Sequence, residues 1–596
     1  MKVLQTYLMH MISAISPKEL FQNKVNIYFM PSINTCQCGS GLLIYKTKIR
    51  RIATLLTGEC IAHVTESHCK KCKIIYSSDE LKLIAPKNSH FGFDIIFYIG
   101  VELFVNYRND EQILKDLQEK NISISLREIS HLGKCFIIYL ALTHKSCEKN
   151  IKEFMNERGG YILHLDGTCE GRSPLLFSFI DEISSIVLGN IKISSENSKQ
   201  IKPALVEIKK SYGNPIALVH DMSPAIAKAV ESVFPDVRDF ICHLHFLRDL
   251  GKDLFSVEYD FIRDCLKTYK VRTDLQKMAR EFKSYIENSD DLKICLINCM
   301  EKNYFDRSIG SLMPPVAFYV LITWILESRN KSHGHGFPFD RPHVDFYDRL
   351  QQSHAMLEHL KNTMSNDSPN ISLVVLNRTL NDISLKYTVT LIKERTALFD
   401  DLRDAMRIVS PENKKGLNDN GDDVNIKTIE GGVRAFRDSE LVIKLSKTDI
   451  RYHKMIKQID KYWSKLFSDP IEVKTDAGVV LIHPQRTNNM LEQFFRTIKS
   501  GNRKKSGTSS LTKTLTTMLA NTPLVKNLKI PEYVEIILEG KMNLAERFAE
   551  IDIATVRAAL QEEDIASRKH PKGMAKILRM EDFPRKIDRC ILRKSG

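Results

Sequence analysis

The fold is decided by residues 161–168, YILHLDGT, in which an apolar run gives way to polar residues. This run predicts a buried β-strand that ends at Asp166. The elements after it are predicted as strands at 175–180 and 183–188, a helix at 196–212, a strand at 216–220, a helix at 223–233 and a strand at 239–242. Three strands followed by helix, strand, helix and strand predict an α/β domain.

A second aspartate, Asp221, comes directly after the predicted strand at 216–220. A carboxylate at the carboxyl end of a strand is held on a rigid element, and its oxygens face the edge where α/β sheets bind ligands. Asp166 and Asp221 on neighbouring strands could therefore bind divalent cations, which prefer oxygen ligands. The alternative is that each aspartate is only a turn residue or a helix N-cap.

A third acidic residue, Glu492, lies on a helix predicted to begin at 487–489 and to run to Ile498. Apolar residues 491, 494, 495 and 498 form one face that would pack on a sheet, with Glu492 beside it. Basic residues near this helix are suited to DNA phosphates. We predict that the DNA-binding residues are Arg486, Arg496, Lys499, Arg503, Lys504 and Lys505.

This arrangement resembles the RNase H-like catalytic core of DDE-type DNA transposases, in particular the Mutator-like group and related bacterial insertion-sequence transposases. In that core the first acid is on the first strand, the second follows the fourth strand, and the third is on a later helix. Asp166, Asp221 and Glu492 occupy these places. A Cys-x-x-His signature follows the second aspartate in that group, as Cys242 and His245 do here. The segment 488–495, NNMLEQFF, also resembles the third-acid block of such enzymes.

The resemblance implies a catalytic site in which Asp166, Asp221 and Glu492 hold two Mg²⁺ or Mn²⁺ ions. It implies hydrolysis at the ends of a mobile element, followed by attack of the 3′-hydroxyl on target DNA. The partner is then DNA, with no membrane, and we expect a homo-oligomer in the active complex. We expect Cys242 and His245 to support the site structurally, because two ligands fall short of the four that zinc takes.

The first ninety residues contain two cysteine pairs, Cys36 with Cys38 and Cys69 with Cys72, separated by β-type sequence. Four thiolates suit a structural, tetrahedral Zn²⁺, which would supply folding energy to a small β unit. The module resembles the zinc ribbon often found at the N-terminus of transposases, although one residue separates the first pair where ribbons usually have two. Other ligands remain open, namely His68, or Cys60 with His63, as do reduced buried cysteines without metal.

Composition and charge indicate a polyanionic partner. The 596 residues include 87 Lys and Arg against 73 Asp and Glu, a formal net charge of +14, although a long basic protein can also be merely soluble. There is no apolar run of about 18 residues that would span a bilayer, and we expect no signal peptide. The 13 cysteines are then reduced thiols or metal ligands. We expect an intracellular protein, cytoplasmic or nucleoid-associated.

The length predicts a multidomain α/β protein, in which a large, mostly helical insertion interrupts the RNase H-like core. Two helices, 110–117 and 126–139, the second capped by Ser125 with Glu128 at the third position, predict a helix-turn-helix-like DNA-binding region. A polar loop is predicted at 411–423. The predicted domains are a zinc-ribbon-like module at 1–90, the helix-turn-helix-like region at 91–155, the first part of the core at 156–255, the insertion at 256–470, the last part of the core at 471–520 and a basic helical tail at 521–596.

Two other functions are open to this sequence. One is a non-catalytic DNA-binding protein derived from a transposase, which would be indicated by loss of one acid, whereas all three are present. The other is a metal-dependent nuclease that acts on DNA or RNA without strand transfer. The N-terminal modules favour a site-specific DNA partner over this second alternative.

Overall fold

The structure is a computed structural model that describes residues 24–301, 312–328, 334–364, 366–409, 426–467, 470–475, 478–566, 574, 577 and 580–592. The predicted loop at 411–423 lies outside these residues. Within them, the protein is mixed α/β with three sheets and is mainly helical. None of the described helices combines the length and apolar composition needed to cross a bilayer.

The strands fall in three regions of the chain. They are β1 (Val25–Phe29), β2 (Leu42–Thr54), β3 (Gly58–Cys69), β4 (Ile75–Ser77), β5 (Ile162–Thr168), β6 (Leu175–Asp181), β7 (Val187–Ile193), β8 (Ala217–His220), β9 (Arg238–Ile241), β10 (Ile471–Thr475) and β11 (Gly478–Ile482). The first four form one sheet, in which β3 lies between β1 and β2 and also pairs with β4. The order β7-β6-β5-β8-β9 forms the central five-stranded sheet, and β10 and β11 form a hairpin.

Helices cover most of the remaining chain. They are α1 (Glu80–Ile84), α2 (Phe93–Phe104), α3 (Asp110–Glu119), α4 (Leu126–Ser146), α5 (Glu148–Glu157), α6 (Ser198–Tyr212), α7 (Pro224–Val233), α8 (His243–Thr268), α9 (Val271–Glu287), α10 (Asp290–Glu301), α11 (Met313–Leu326), α12 (Pro342–Thr363), α13 (Val374–Asn381), α14 (Ile383–Ala405), α15 (Ile426–Arg437), α16 (Glu440–Thr448), α17 (Ile450–Leu466), α18 (Asn489–Ser506), α19 (Thr512–Thr517), α20 (Pro531–Leu538), α21 (Leu544–Ala549), α22 (Ile553–Ala566) and α23 (Phe583–Leu592). A 3₁₀-helix spans Thr522–Lys529.

The chain divides into two compact units. Among the described residues, the first comprises those within 24–239, 471–484 and 488–592, and the second comprises those within 240–470 and 485–487. The first unit contains a large core in which β5 and β6 pack with α2 and α4. The second unit consists mainly of the helices α8 to α17.

Two strand predictions are wrong in their bounds. The third strand is β7, Val187–Ile193, rather than 183–188, because the Asp181 carboxylate accepts hydrogen bonds from the backbone N–H groups of Ile183 and Ser184 and folds that segment into a turn. The strand β5 does not end at Asp166 but continues to Thr168, because Gly167 and Thr168 still pair with β6.

The helix pair predicted at 110–139 is present as α3 and α4, and α4 extends to Ser146. The Ser125 side chain accepts a hydrogen bond from the Glu128 backbone N–H at 3.2 Å, as the cap prediction requires. Exposed polar residues of α4 lie in its first half, such as Arg127 and Lys134, and at its end, at Lys145 and Ser146, whereas the segment from Cys135 to Leu140 is buried in the core. Any DNA contact by α4 therefore has to use one of these two parts.

Candidate active site and metal centre

The register of β5 with β8 brings two acidic residues to one edge of the central sheet. The strands are parallel, and paired residues such as His164 and Val219 are 55 positions apart (219 minus 164). Asp166 lies two residues beyond His164 on β5, and Asp221 lies two residues beyond Val219, directly after β8 ends at His220. Neighbouring strands lie about 4.8 Å apart. The two aspartates therefore lie toward the carboxyl ends of neighbouring parallel strands, at one edge of the sheet.

Glu492 is held near this edge by the beginning of α18. It lies in the first turn of the helix, where its backbone N–H donates to the Asn488 carbonyl at 2.9 Å. The side-chain oxygen of Asn488 is 3.1 Å from Nδ1 of His164, which lies two residues before Asp166 on β5. Asn488 Nδ2 also donates to the Leu165 carbonyl at 3.5 Å. The buried Asn488 therefore fixes the beginning of α18 to the strand that carries Asp166.

The electrostatics of Asp166 link the three acids. Its pKa is raised well above the ordinary value, first because the carboxyl is buried and next because Asp221 repels its negative charge. The Gly167 backbone N–H, 2.7 Å from Oδ1, opposes this rise. Glu492 and Glu196 add smaller repulsions that raise the pKa further. Asp166 thus lies within electrostatic range of three other carboxylates.

Glu196 is an acid of this neighbourhood that the sequence did not single out, because it was assigned to the start of the helix predicted at 196–212, whereas α6 begins at Ser198. Its carboxylate accepts a hydrogen bond from the Ser223 hydroxyl. The backbone N–H of Ser223 in turn donates to Asp221 Oδ1 at 3.0 Å. Ser223 thus links Glu196 to one of the predicted aspartates and also caps α7.

A histidine and a glutamate beside the acids were also missed. His164 is buried on β5, and its Nε2 lies 2.9 Å from Oε2 of Glu182. Since its Nδ1 faces Asn488, both ring nitrogens are engaged, and the imidazole cannot rotate away. No motif marks this residue, because a histidine in an apolar strand also occurs as an ordinary core residue.

The donor set of the acidic site fits a hard divalent cation. Carboxylate oxygens are the ligands that Mg²⁺ and Mn²⁺ prefer, and a cation would offset the repulsion that raises the pKa of Asp166. Among the described residues, the four cysteines form a group of side chains close enough together to hold a metal ion, with all ligand atoms within 4.8 Å of one another, and the acids are not found as such a group.

Basic residues lie in line with Glu492 along α18. Arg496, Lys499 and Arg503 follow Glu492 at i+4, i+7 and i+11, which places all four on one helical face. The three cations are exposed. At a rise of about 1.5 Å per residue, this face extends about 16 Å from Glu492. It forms a basic track that begins at the candidate acid.

The other two predicted cations of α18 contact the helical region instead. Lys505 Nζ forms an ion pair with Asp110 Oδ1 at 3.1 Å. Lys504 Nζ donates to the Asn106 carbonyl at 3.1 Å. These contacts help to dock α18 on the α2–α3 segment, so Lys505 is only partly available to another partner.

Three further residues singled out by the sequence belong to the second unit. Cys242 is buried directly before α8, and the Arg486 carbonyl accepts a hydrogen bond from the His243 backbone N–H at 2.8 Å. His243 Nε2 lies 2.7 Å from the Leu466 carbonyl. The pKa of His245 is lowered to about 3, mainly because burial disfavours the charged ring. His245 is therefore neutral at pH 7, and hydrogen bonds within this unit fix the start of α8.

The four predicted cysteine ligands come together in the N-terminal sheet. The sulfur atoms of Cys36, Cys38, Cys69 and Cys72 all lie within 4.8 Å of one another, and those of Cys38 and Cys69 are 3.6 Å apart. The pKa of Cys38 is lowered to about 6, first by its contact with the Cys72 thiol, whose own pKa is raised to about 12. The group could hold a metal such as zinc.

Two tight turns and the strand register build this group. Gly39 adopts a φ of +80°, and its N–H donates to the Cys36 carbonyl at 2.8 Å. The Lys73 N–H donates to the Cys69 carbonyl at 2.8 Å in the second turn. Because Leu42 pairs with Cys69, the turn before β2 lies beside the end of β3.

The alternative ligands lie outside the cysteine group. His63 Nε2 is 2.9 Å from the Asn26 side-chain oxygen, and its ring stacks on Tyr28 with centroids 4.6 Å apart. Cys60 is buried in the small core of the sheet. His68 packs edge-on against Tyr45, with ring centroids 5.5 Å apart. The group is complete without these residues, since it already contains four sulfurs.

Comparison of the chain with models of protein families and with curated proteins finds no match.

Proposed function

We propose that this protein is a DDE-type DNA transposase with an RNase H-like core, in which Asp166, Asp221 and Glu492 are the catalytic acids. The observation that carries the proposal is the parallel pairing of β5 with β8, the strands that lead to Asp166 and Asp221, together with the repulsion that Asp221 and Glu492 exert on the Asp166 carboxylate. The attachment of α18 to β5 through Asn488 adds the third acid. Three acids from three elements at one edge favour metal-dependent phosphoryl transfer over a covalent Ser or Tyr mechanism.

The residues of the chain set up the acids for this chemistry. One oxygen of Asp166 accepts the Gly167 N–H and one oxygen of Asp221 accepts the Ser223 N–H, so both carboxylates are oriented by backbone groups. Asn488 positions the helix of Glu492. Two divalent cations held by these acids would supply activation of water or a 3′-hydroxyl and stabilisation of the leaving oxygen.

The basic track of α18 supports DNA as the substrate. Arg496, Lys499 and Arg503 follow Glu492 on the same helical face and are exposed. Cations spaced along about 16 Å can contact several phosphates of a strand that enters the acidic site. The track thus favours a long nucleic acid over a small phosphate ester.

The N-terminal modules are the part of the chain that would select the DNA sequence. A zinc-ribbon-like module built on the four cysteines, with the first half of α4, would recognise the ends of the element. The protein would work inside the cell as a homo-oligomer, because two element ends have to be cut together. A nuclease without strand transfer remains the second candidate, since the same acids would support simple hydrolysis.

The proposal is tested by cleavage of DNA that carries the sequences flanking the gene. We expect Mg²⁺-dependent cleavage at terminal inverted repeats, followed by joining to a target plasmid. Asp166→Asn, Asp221→Asn and Glu492→Gln should each lower the rate by about a hundredfold or more, a loss of about 3 kcal/mol of transition-state stabilisation, while DNA binding persists.

The matched control is Glu231→Gln, which changes an exposed glutamate on α7. Cleavage at the wild-type rate by Glu492→Gln would show that Glu492 is not a catalytic acid. Cleavage without any joined product would select the nuclease instead.

A further inference from the structure

A cavity of about 740 Å³ lies in the first unit, and none of its lining residues is one of the three acids. Its walls come from β2 and β3, the segment 86–91, the part of α4 from Glu128 to Tyr139, and α22. Cavities of about 300–1,000 Å³ are the usual size of small-ligand sites. The cavity is therefore large enough for a ligand and separate from the proposed chemistry.

A buried hydroxyl group at this cavity lacks a partner. Tyr139 is 1% exposed and lines the cavity, and its hydroxyl has no hydrogen-bond partner in the part of the chain that the structure describes. Its ring is held by Phe93, at a centroid distance of 5.7 Å, and by Phe548, at 5.1 Å. Leaving a buried hydroxyl unpaired costs free energy. A ligand that reaches Tyr139 would recover that cost.

Polar groups mark a path from the surface to Tyr139 along α4. His131, Cys135 and Tyr139 lie four residues apart on one helical face, and all three line the cavity. His131 is exposed, Cys135 is 7% exposed and Tyr139 is 1% exposed, so the row descends into the protein. Burial raises the pKa of the Cys135 thiol to about 12, and it therefore offers a neutral group.

The mouth of the cavity carries excess positive charge. Lys24, Arg51, Lys87 and Arg557 line it and are exposed, against two carboxylates. One of these carboxylates, Glu59, already pairs with Lys24 at 2.7 Å. The remaining cations favour an anionic group at the mouth.

The inner walls are apolar. They are formed by Phe91, Ile96, Leu132, Val556 and Leu560. A ligand that matches these groups carries an anion at one end. Its other end is a flat or apolar body that can also form a hydrogen bond.

We propose that this cavity binds a single nucleotide, with its phosphate at the basic mouth and its base between the apolar walls, where the base edge meets the Tyr139 hydroxyl. A base has a face that packs on apolar groups and an edge that hydrogen bonds. The nucleotide comes either from solution, as a nucleoside monophosphate, or from an unstacked position in a DNA strand. The site goes beyond the proposed transposase activity and does not require the three acids.

The test is calorimetric titration of the full chain with deoxynucleoside 5′-monophosphates, inorganic phosphate and a short single-stranded oligonucleotide. We expect monophosphates or the oligonucleotide to bind more tightly than inorganic phosphate. Tyr139→Phe should weaken that binding about fivefold, the value of one hydrogen bond. Arg557→Ala should weaken it and reduce its salt dependence, whereas Arg280→Ala, which changes an exposed arginine of α9 outside the lining, should do neither.

The Tyr139→Phe variant loses a hydroxyl without a partner, so its melting temperature should not fall, and a loss of binding cannot be ascribed to unfolding. Monophosphate binding that weakens in Tyr139→Phe points to a free nucleotide. Oligonucleotide binding that weakens in Tyr139→Phe, without monophosphate binding, points to a base in a strand, because DNA bound only along the basic track of α18 does not depend on Tyr139. Wild-type affinity in Tyr139→Phe, or inorganic phosphate binding as tightly as nucleotide, overturns the proposal. Asp166→Asn should bind as the wild type does, which separates this result from failure of the proposed transposase activity.

Discussion

At the scale of single residues, Asp166 combines burial with three acidic neighbours. Its pKa is raised first by burial and then by Asp221, with smaller contributions from Glu492 and Glu196. A structural aspartate would be stabilised by a cation or by several N–H groups, whereas the Gly167 N–H is the opposing contribution here. A carboxyl group whose charged form is disfavoured by burial and by neighbouring acids is typical of a functional site.

This pKa shift predicts a pH dependence of stability in the metal-free protein. A carboxyl group whose folded pKa is raised contributes stability below its unfolded pKa, and that contribution is lost as the pH rises through the folded pKa. Asp166→Asn cannot ionise. The variant should therefore gain in free energy of unfolding relative to the wild type as the pH rises from acidic to alkaline values, measured by urea denaturation.

Added Mg²⁺ should reverse this difference. An ion that binds only the folded wild type adds about 2.7 kcal/mol at a hundred times its dissociation constant. If the difference in free energy of unfolding between wild type and Asp166→Asn changed neither with pH nor with added Mg²⁺, the repulsion inferred at Asp166 would be contradicted.

The sequence predicts the position of one aspartate in its strand correctly, places the other wrongly, and does not indicate the further residues near them. Asp221 follows its strand as expected, because β8 ends at His220. Asp166 lies within β5 rather than at its end, since pairing with β6 carries the strand past it. The proximity of Glu196 and the bonds of His164 depend on contacts between distant segments, and no local pattern encodes such contacts.

At the scale of elements, one face of α18 packs against the protein and the other carries charged residues. The face at 494, 498 and 501 is packed, and a Cβ at Gly501 would lie 2.1 Å from the Tyr107 ring. The opposite face carries Glu492 and the basic track. The apolar periodicity of this helix was readable from the sequence, but its docking on Tyr107 was not, because that contact joins residues almost 400 positions apart.

The two faces predict different effects of removing a charge from α18. Arg496→Ala, Lys499→Ala and Arg503→Ala should each weaken DNA binding and reduce the salt slope of the logarithm of the affinity by about 0.9 per lost phosphate contact. Lys505→Ala should change that slope less, because Lys505 pairs with Asp110. Fluorescence anisotropy at several salt concentrations measures both quantities. Equal slopes for wild type and Arg496→Ala would contradict a DNA path along this track.

At the scale of the whole molecule, the N-terminal sheet has a small core of its own beside the large one. Its own buried core consists of Phe29, Ile52, Cys60, Ala62 and Leu81. So small a core gives little stability, and a metal at the four cysteines would supply folding energy. The two cysteine pairs were predictable from spacing, whereas the choice of these four ligands over His63 and His68 depends on the β2–β3 register.

We expect one zinc ion per chain. Cys69→Ser should remove it and unfold the sheet at 25–77, while exposed Cys169→Ser should retain it. Elemental analysis gives the zinc content, and amide hydrogen exchange shows which segment loses protection. Full zinc content in Cys69→Ser, or loss of zinc in a His68→Ala variant, would contradict the assignment of the four cysteines.

Binding of Mn²⁺ to the zinc-saturated protein, followed by electron paramagnetic resonance, tests whether the three acids form one metal site. We expect Mn²⁺ binding by the wild type and by Glu231→Gln, with strongly weakened binding in Asp166→Asn, Asp221→Asn and Glu492→Gln. Wild-type Mn²⁺ binding in all three triad variants would contradict such a site.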